Sequence, residues 1–160
     1  MRYLFIALLL FIGCDDDPVS IQLCDDNLFW DEGIVGEEVE LWGECYNVQF
    51  TTSLNSFNLP DNITGAIPSQ IGDLVNLISI SLGVNQLSGE IPPEIGNLIN
   101  LNILRLDWNQ LTEIPPEIGN LVNLIEFTIS DNQLSGEIPS EIGSLIDLEI
   151  MYLHNNQFIG

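Results

Sequence analysis

The stretch LINLNILRLDWN, residues 98–109, decides the fold of this 160-residue chain because close copies of it recur along the sequence. The copies read LVNLISISLGVN at 74–85, LVNLIEFTISDN at 121–132 and LIDLEIMYLHNN at 145–156, and a looser partial unit covers 54–62. An Ile-Pro pair keeps the same period, with spacings of 24, 23 and 24 residues between Ile67, Ile91, Ile114 and Ile138. A fixed period of this length indicates a stack of similar coils.

Each unit combines a short strand with a turn. Leu104 and Leu106 are two residues apart, so both face inward while Arg105 faces outward. The asparagine that follows is predicted to end the strand and to satisfy backbone groups of neighbouring coils. The asparagines would form a polar ladder that runs through Asn62, Asn85, Asn109, Asn132 and Asn156. The segment after Pro92, with Gly96 inside it, predicts a 3-10 helix or a single helical turn.

The L-x-G-x-I-P-x-x-I-G-x-L pattern resembles the plant-type subclass of leucine-rich repeats over residues 54–160. The resemblance implies an α/β solenoid: a right-handed coil with a parallel sheet on its concave face and 3-10 or short helical turns on its convex side. The unit around Leu111–Ile114 lacks the glycine of its sisters and is one residue shorter, so we expect a local change there and an intact core. The last unit stops at Gly160, which predicts about 4–5 coils truncated at the C-terminus.

The first 13 residues have the pattern of an export signal. Arg2 precedes the apolar run Tyr3–Ile12, which as a helix would cover about half of a bilayer core. The run Leu10–Cys14 resembles the bacterial lipoprotein signal, which implies a lipid on Cys14 and anchoring at the bacterial cell surface or outer membrane. An ordinary secretory signal is the alternative. Residues 14–23, which contain three consecutive aspartates, would be an acidic tether.

Residues 24–53 are expected to cap the first coil. The stretch Leu41–Cys45 resembles the N-terminal cap of the same repeat subclass, and Trp30 and Trp42 would cover the apolar end of the stack. After export the compartment is oxidising, so Cys24 and Cys45 are predicted to form a disulfide bond worth roughly 3 kcal/mol.

The charge balance excludes one class of partner. The chain has 24 acidic and 2 basic residues, a net charge of −22, and would repel the phosphates of nucleic acids. The acidic residues keep the protein soluble, and a cationic partner or loosely held divalent cations are the alternatives. Metal-binding and phosphate-binding motifs are missing from the sequence, so we expect neither a metal site nor a cofactor.

The outward positions of the strands are the candidate binding site. Stacked strands lie about 4.8 Å apart, so equivalent positions form columns. One column would hold Arg105, Thr128 and Tyr152, and a second would hold Asp107, Ser130 and His154. Arginine, tryptophan and tyrosine are enriched at binding hot spots. The residues predicted to contact a partner are Arg105, Trp108, Tyr152, Asp107, Thr128 and His154.

These columns argue against catalysis. In the second column Asp107 would lie beyond Ser130 from His154, so the carboxylate could not orient the imidazole. The sequence therefore predicts a non-catalytic, extracellular module that recognises a protein, peptide or glycan. A structural or adhesive spacer, or the sensor ectodomain of a longer receptor, are the alternatives.

Overall fold

A computed structural model describes residues 37–55 and 58–159, which form a stack of coils. One strand from each coil joins a five-stranded parallel sheet, as predicted. In order across the sheet, the strands are Ser53–Leu54 (β3), Ser79–Ser81 (β5), Ile103–Arg105 (β7), Glu126–Thr128 (β9) and Ile150–Tyr152 (β11). The signal peptide, Cys14, the tether, Cys24 and Trp30 lie outside the described residues, so the predictions made for them stay predictions.

Inward residues of the first four strands form the core, whereas Met151 in the fifth strand is 45% exposed. Leu104 and Phe127 occupy equivalent positions in neighbouring strands and are fully buried. Leu82, Leu106 and Ile129 are buried just beyond their strands, and Leu153 is partly buried. Because every coil buries its apolar side chains against its neighbours, stability is shared along the stack.

A second parallel sheet has three strands, Thr64–Gly65 (β4), Gln86–Glu90 (β6) and Gln110–Glu113 (β8). Ser135–Gly136 (β10) and Gln157–Phe158 (β12) form a separate parallel pair. The repeat pattern did not predict these strands. Gly65, Gly89 and Gly136 have φ near +81°, a conformation that glycine adopts without strain. The shorter unit has Thr112 in this region, and the β6–β8 register shifts between Gly89 and Glu90. The expected local change is therefore present.

Four 3-10 helices complete the coils, as the segments after the Ile-Pro pairs predicted. They are Ser69–Asp73, Pro93–Asn97, Pro116–Asn120 and Ser140–Ser144. A proline precedes each helix, and three of the four prolines, Pro68, Pro92 and Pro115, have extended backbone. The residue after each helix donates its N–H back into it, as from Leu98 to the Ile95 carbonyl at 3.1 Å. The prolines therefore define where each helical turn begins.

The asparagine ladder is present, with one departure. The Asn109 amide donates to the carbonyls of Leu82 and Leu106 at 2.9 and 3.1 Å, and its Oδ1 accepts from the Leu87 N–H at 3.0 Å. Asn85, Asn132 and Asn156 make the same kinds of bond. Asn62 is exposed at a turn with φ of 57°, so its place in the predicted ladder is wrong.

An antiparallel hairpin packs at the start of the stack. Its strands are Glu38–Leu41 (β1) and Glu44–Asn47 (β2), joined by Trp42 and Gly43, both with positive φ. The Trp42 indole packs against the core and donates to the Ala66 carbonyl at 3.3 Å. The Tyr46 hydroxyl donates to the Asn58 carbonyl at 2.7 Å, and burial raises the pKa of Tyr46 to about 12. The hairpin thus covers apolar surface of the first coil.

Candidate functional site on the five-stranded sheet

The outward positions of the five-stranded sheet lie in columns, as the spacing predicted. Arg105 pairs with Thr128 across β7 and β9, and Thr128 pairs with Tyr152 across β9 and β11. The strands are short, so the chain leaves the sheet two residues later at Asp107, Ser130 and His154. Backbone bonds continue the stacking there, with the Trp108 N–H donating to the Ser130 carbonyl at 3.0 Å.

Arg105 is held by an ion pair with Glu126 that could not be predicted from the repeat spacing. Its Nε and Nη2 lie 2.6 and 2.8 Å from the two carboxylate oxygens of Glu126. This hydrogen bonding raises the pKa of Arg105 and lowers the pKa of Glu126. Because the Glu126 pKa is lowered, the pair persists from neutral pH downwards and is lost only as pH falls through that depressed value. The charge of Arg105 is therefore neutralised by Glu126, and a partner would meet the ion pair and not a free guanidinium.

Asp107 and Thr128 belong to a structural cluster. The Asp107 carboxylate accepts from the Thr128 hydroxyl, and also from the Ser130 N–H and hydroxyl at 2.9 and 2.7 Å. Thr128 is only 3% exposed. A side chain this deeply buried cannot offer a contact surface, so the predicted role of Thr128 as a partner contact is wrong. The cluster fixes the relative position of neighbouring coils. Asp107 therefore positions the site through its bonds to Thr128 and Ser130 of the next coil.

Trp108, Tyr152 and His154 are open to solvent. Trp108 is 61% exposed and Tyr152 is 55% exposed. The Tyr152 and His154 rings meet edge to face with centroids 6.0 Å apart, and His154 Nε2 lies 3.9 Å from an Asp131 carboxylate oxygen. Ser130 donates to Asp107 and His154 faces Asp131, so the three residues do not form a catalytic chain. The accessible site thus has an exposed Tyr152–His154 ring pair two strands from Arg105, and an exposed Trp108 at the corner that follows the Arg105 strand.

A row of asparagines beside the sheet was missed. The side-chain amides of Asn76, Asn100 and Asn123 each donate to a carbonyl of the preceding coil, at 3.3, 3.0 and 2.7 Å. Their spacing of 24 and 23 residues is the same as that of the leucines, so the signal was present in the sequence. The bonds tie one coil to the next along a shallow groove, which makes these residues structural.

The described residues contain neither a membrane-spanning element nor a metal cluster. Among residues 37–55 and 58–159, every helix is too short and too polar to cross a bilayer. Within the same ranges, His, Cys, Asp and Glu do not come together in a group of three or more that could hold a metal ion.

An open parallel sheet on a stack of leucine-lined coils defines a repeat solenoid with an accessible face. The Leucine Rich Repeat family model matches residues 76–98, 100–121 and 123–145. The described coils therefore have the leucine-rich-repeat solenoid fold. No curated protein matches the chain at a significant level.

Solved structures with the same fold come from plants and from a bacterium. The GASSHO1/SCHENGEN3 receptor kinase ectodomain from Arabidopsis thaliana, in complex with CASPARIAN STRIP INTEGRITY FACTOR 2, is 44% identical over 59% of this chain, with a TM-score of 0.58. The plant peptide hormone receptor RGFR1 in complex with RGF2 is 41% identical over 61% of this chain, with a TM-score of 0.59. The Leptospira interrogans protein LIC12759 is 42% identical over 61% of this chain, with a TM-score of 0.55. The aligned region covers 12%, 16% and 24% of these three chains, respectively.

Proposed function

We propose that this protein is a non-catalytic extracellular module that binds a protein, peptide or glycan on its five-stranded sheet. The observation that carries the proposal is the exposure of Tyr152 in the same outward column as Arg105, together with the exposure of Trp108 at the corner of the Arg105 coil. Aromatic and arginine side chains dominate binding energy at interfaces. The two plant receptor structures described above are both complexes, and RGFR1 is a peptide hormone receptor, which supports a ligand-binding role here.

Two other roles make different predictions. A structural or adhesive spacer would self-associate, and its oligomers would not depend on the aromatic surface. The sensor ectodomain of a longer receptor would bind its ligand through the same surface as a binding module. The plant receptors that resemble this chain are several times longer than it, which is why this alternative is kept. Gel filtration over a range of protein concentrations separates the spacer from the binding module.

We expect Tyr152→Ala and Arg105→Ala to weaken ligand binding by at least about tenfold. Binders would first be selected on the immobilised protein from a displayed random-peptide library and from a glycan array, and their Kd values would be measured by calorimetry. Both side chains are exposed, so the melting temperature should change little. Ile99→Ser, an exposed change on another surface, is the matched control. Selected ligands that bind all variants equally would contradict a site on this sheet.

We also propose that residues 1–13 direct export, that Cys14 carries a lipid and that Cys24 bonds to Cys45. Intact-mass spectrometry of the membrane fraction should show a mature chain that begins at a lipid-modified Cys14. Thiol alkylation should label Cys24 and Cys45 only after reduction, because a disulfide bond protects both sulfurs. Cys14→Ser should release the protein from membranes. An unmodified Cys14 in the wild-type protein would rule out the anchor, and labelling before reduction would rule out the bond.

A further inference from the structure

The corner where each coil leaves the five-stranded sheet is a second regular column. Its members are the residues just before the ladder asparagines: Val84, Trp108, Asp131 and Asn155. All four have left-handed backbone, with φ between 56° and 59°. Backbone bonds stack them, with Val84 N–H donating to the Asp107 carbonyl at 2.9 Å and Asp131 N–H donating to the His154 carbonyl at 3.1 Å. We call these four residues the corner column.

Two members of the corner column have side chains that suit this backbone poorly. Asparagine and aspartate tolerate left-handed φ, whereas a β-branched or bulky residue is strained there. Val84 is 79% exposed and Trp108 is 61% exposed, so neither side chain recovers the cost by packing in the fold. Trp42 also has positive φ, but its indole packs on the core and donates to a carbonyl. The turn requires left-handed backbone in each of these coils, so an exposed valine and an exposed tryptophan at this position suggest a role outside the fold.

The charges around the corner column indicate the chemistry of the partner. Asp131 follows Trp108 in the column, and its Oδ1 accepts from the Asn155 amide at 2.8 Å. Arg105 is the single lysine or arginine among residues 37–55 and 58–159, and it is already paired with Glu126. The corner therefore offers an exposed indole face to a cation supplied by another molecule. Asp131 adds negative charge nearby, although its side chain is only 18% exposed and its Oδ2 lies 3.9 Å from His154 Nε2. Arginine and lysine bind over tryptophan faces and bury their aliphatic stems on apolar surface.

We propose that Val84 and Trp108 together bind an arginine or lysine side chain of an extended basic segment in a partner polypeptide. The aliphatic stem lies against Val84, and the charged group lies over the Trp108 indole, next to Asp131. This inference rests on the proposed binding function and narrows it to a basic peptide ligand. The net charge of −22 favours the same class of partner.

The test uses a short synthetic peptide that alternates arginine with serine, together with its lysine and glutamate counterparts. Its Kd for the full chain is measured by calorimetry at about 0.15 M salt, where distant charges are screened. Trp108→Asn should weaken binding of the arginine peptide about tenfold, and Val84→Asn should weaken it severalfold. Ile99→Asn is the control, because Ile99 is 54% exposed and lies outside the corner column. All three variants keep the net charge, so general attraction to the acidic surface is constant.

The strain itself supplies a second readout. Val84→Asn and Trp108→Asn should each raise the melting temperature by roughly 2–4 °C, since asparagine suits the left-handed backbone better. Ile99→Asn should not raise it. Equal binding of the arginine peptide to all variants, no binding of it at all, or a lowered melting temperature in both corner variants would overturn the proposal. The binding function itself would still stand if other selected ligands remain sensitive to Tyr152→Ala.

Discussion

Replacing Asn109 by alanine is expected to lower the free energy of unfolding by about 2–4 kcal/mol. The Asn109 side chain is buried and makes bonds to four backbone groups, belonging to Leu82, Leu87, Leu106 and Asp107. Alanine removes the acceptor of the Leu87 N–H in an apolar interior, at about 1–3 kcal/mol, and the three carbonyls each lose one bond but keep one from Asn85, Asn132 or Val84. Urea denaturation followed by circular dichroism measures the loss.

Asn97→Ala is the matched control for the Asn109 variant. Asn97 is exposed at the end of the 3-10 helix Pro93–Asn97, so its replacement should change stability by less than about 0.5 kcal/mol. A loss of similar size in both variants would mean that the effect comes from asparagine content in general. The interpretation of Asn109 as the link between coils would then be wrong.

The asparagine ladder shows how much of the fold the repeat spacing can predict. Asn85, Asn109, Asn132 and Asn156 were predicted from spacing alone, because equivalent positions in stacked coils repeat the same contacts. Asn62 follows Leu59 at the usual distance, but the unit then has one residue fewer before Gly65. The Ile63 N–H therefore bonds to Asn85 Oδ1 as the Leu87 N–H bonds to Asn109, and Asn62 is displaced to the turn. A single deletion changes which residue faces inward.

The candidate site was only partly predictable. Strand spacing places Arg105, Thr128 and Tyr152 in one column, and the structure agrees. Spacing does not determine which side chains bond to each other, so the Arg105–Glu126 pair and the Asp107 cluster could not be foreseen. These contacts depend on rotamers that are selected by the packed neighbours. The left-handed backbone at Val84 and Trp108 could not be predicted from the sequence either, because neither residue type favours that conformation.

The second sheet was missed for a related reason. The Ser-Gly-Glu segments have the composition of turns, and their hydrogen-bond partners lie in the neighbouring coil about 22 residues away. Stacking supplies the pairing that composition does not show. The strands of the second sheet are therefore predicted poorly by local amino-acid composition. The repeat period is the better predictor, because it places equivalent segments of neighbouring coils side by side.

Gly119→Ala is expected to cost about 2–3 kcal/mol of stability, because the coils approach most closely at the helical glycines. A Cβ on Gly119 would lie 2.6 Å from the Glu141 carbonyl oxygen and 2.7 Å from the Glu141 Cβ. Both are well inside van der Waals contact, and the oxygen belongs to backbone that cannot rotate away. Gly72 and Gly96 meet Glu94 and Glu117 in the same way, at 2.5 and 2.7 Å.

Gly143 tests whether contact between coils, and not backbone conformation, is what requires glycine at this position. It occupies the same place in the 3-10 helix Ser140–Ser144, but a Cβ there would meet no atom within 4 Å. Gly143→Ala should therefore be neutral or slightly stabilising, since alanine lowers the entropy of the unfolded chain. Thermal denaturation of the two variants gives the comparison. An equal loss in both would show that the helical turn itself demands glycine, whereas a loss confined to Gly119→Ala assigns the requirement to the neighbouring coil.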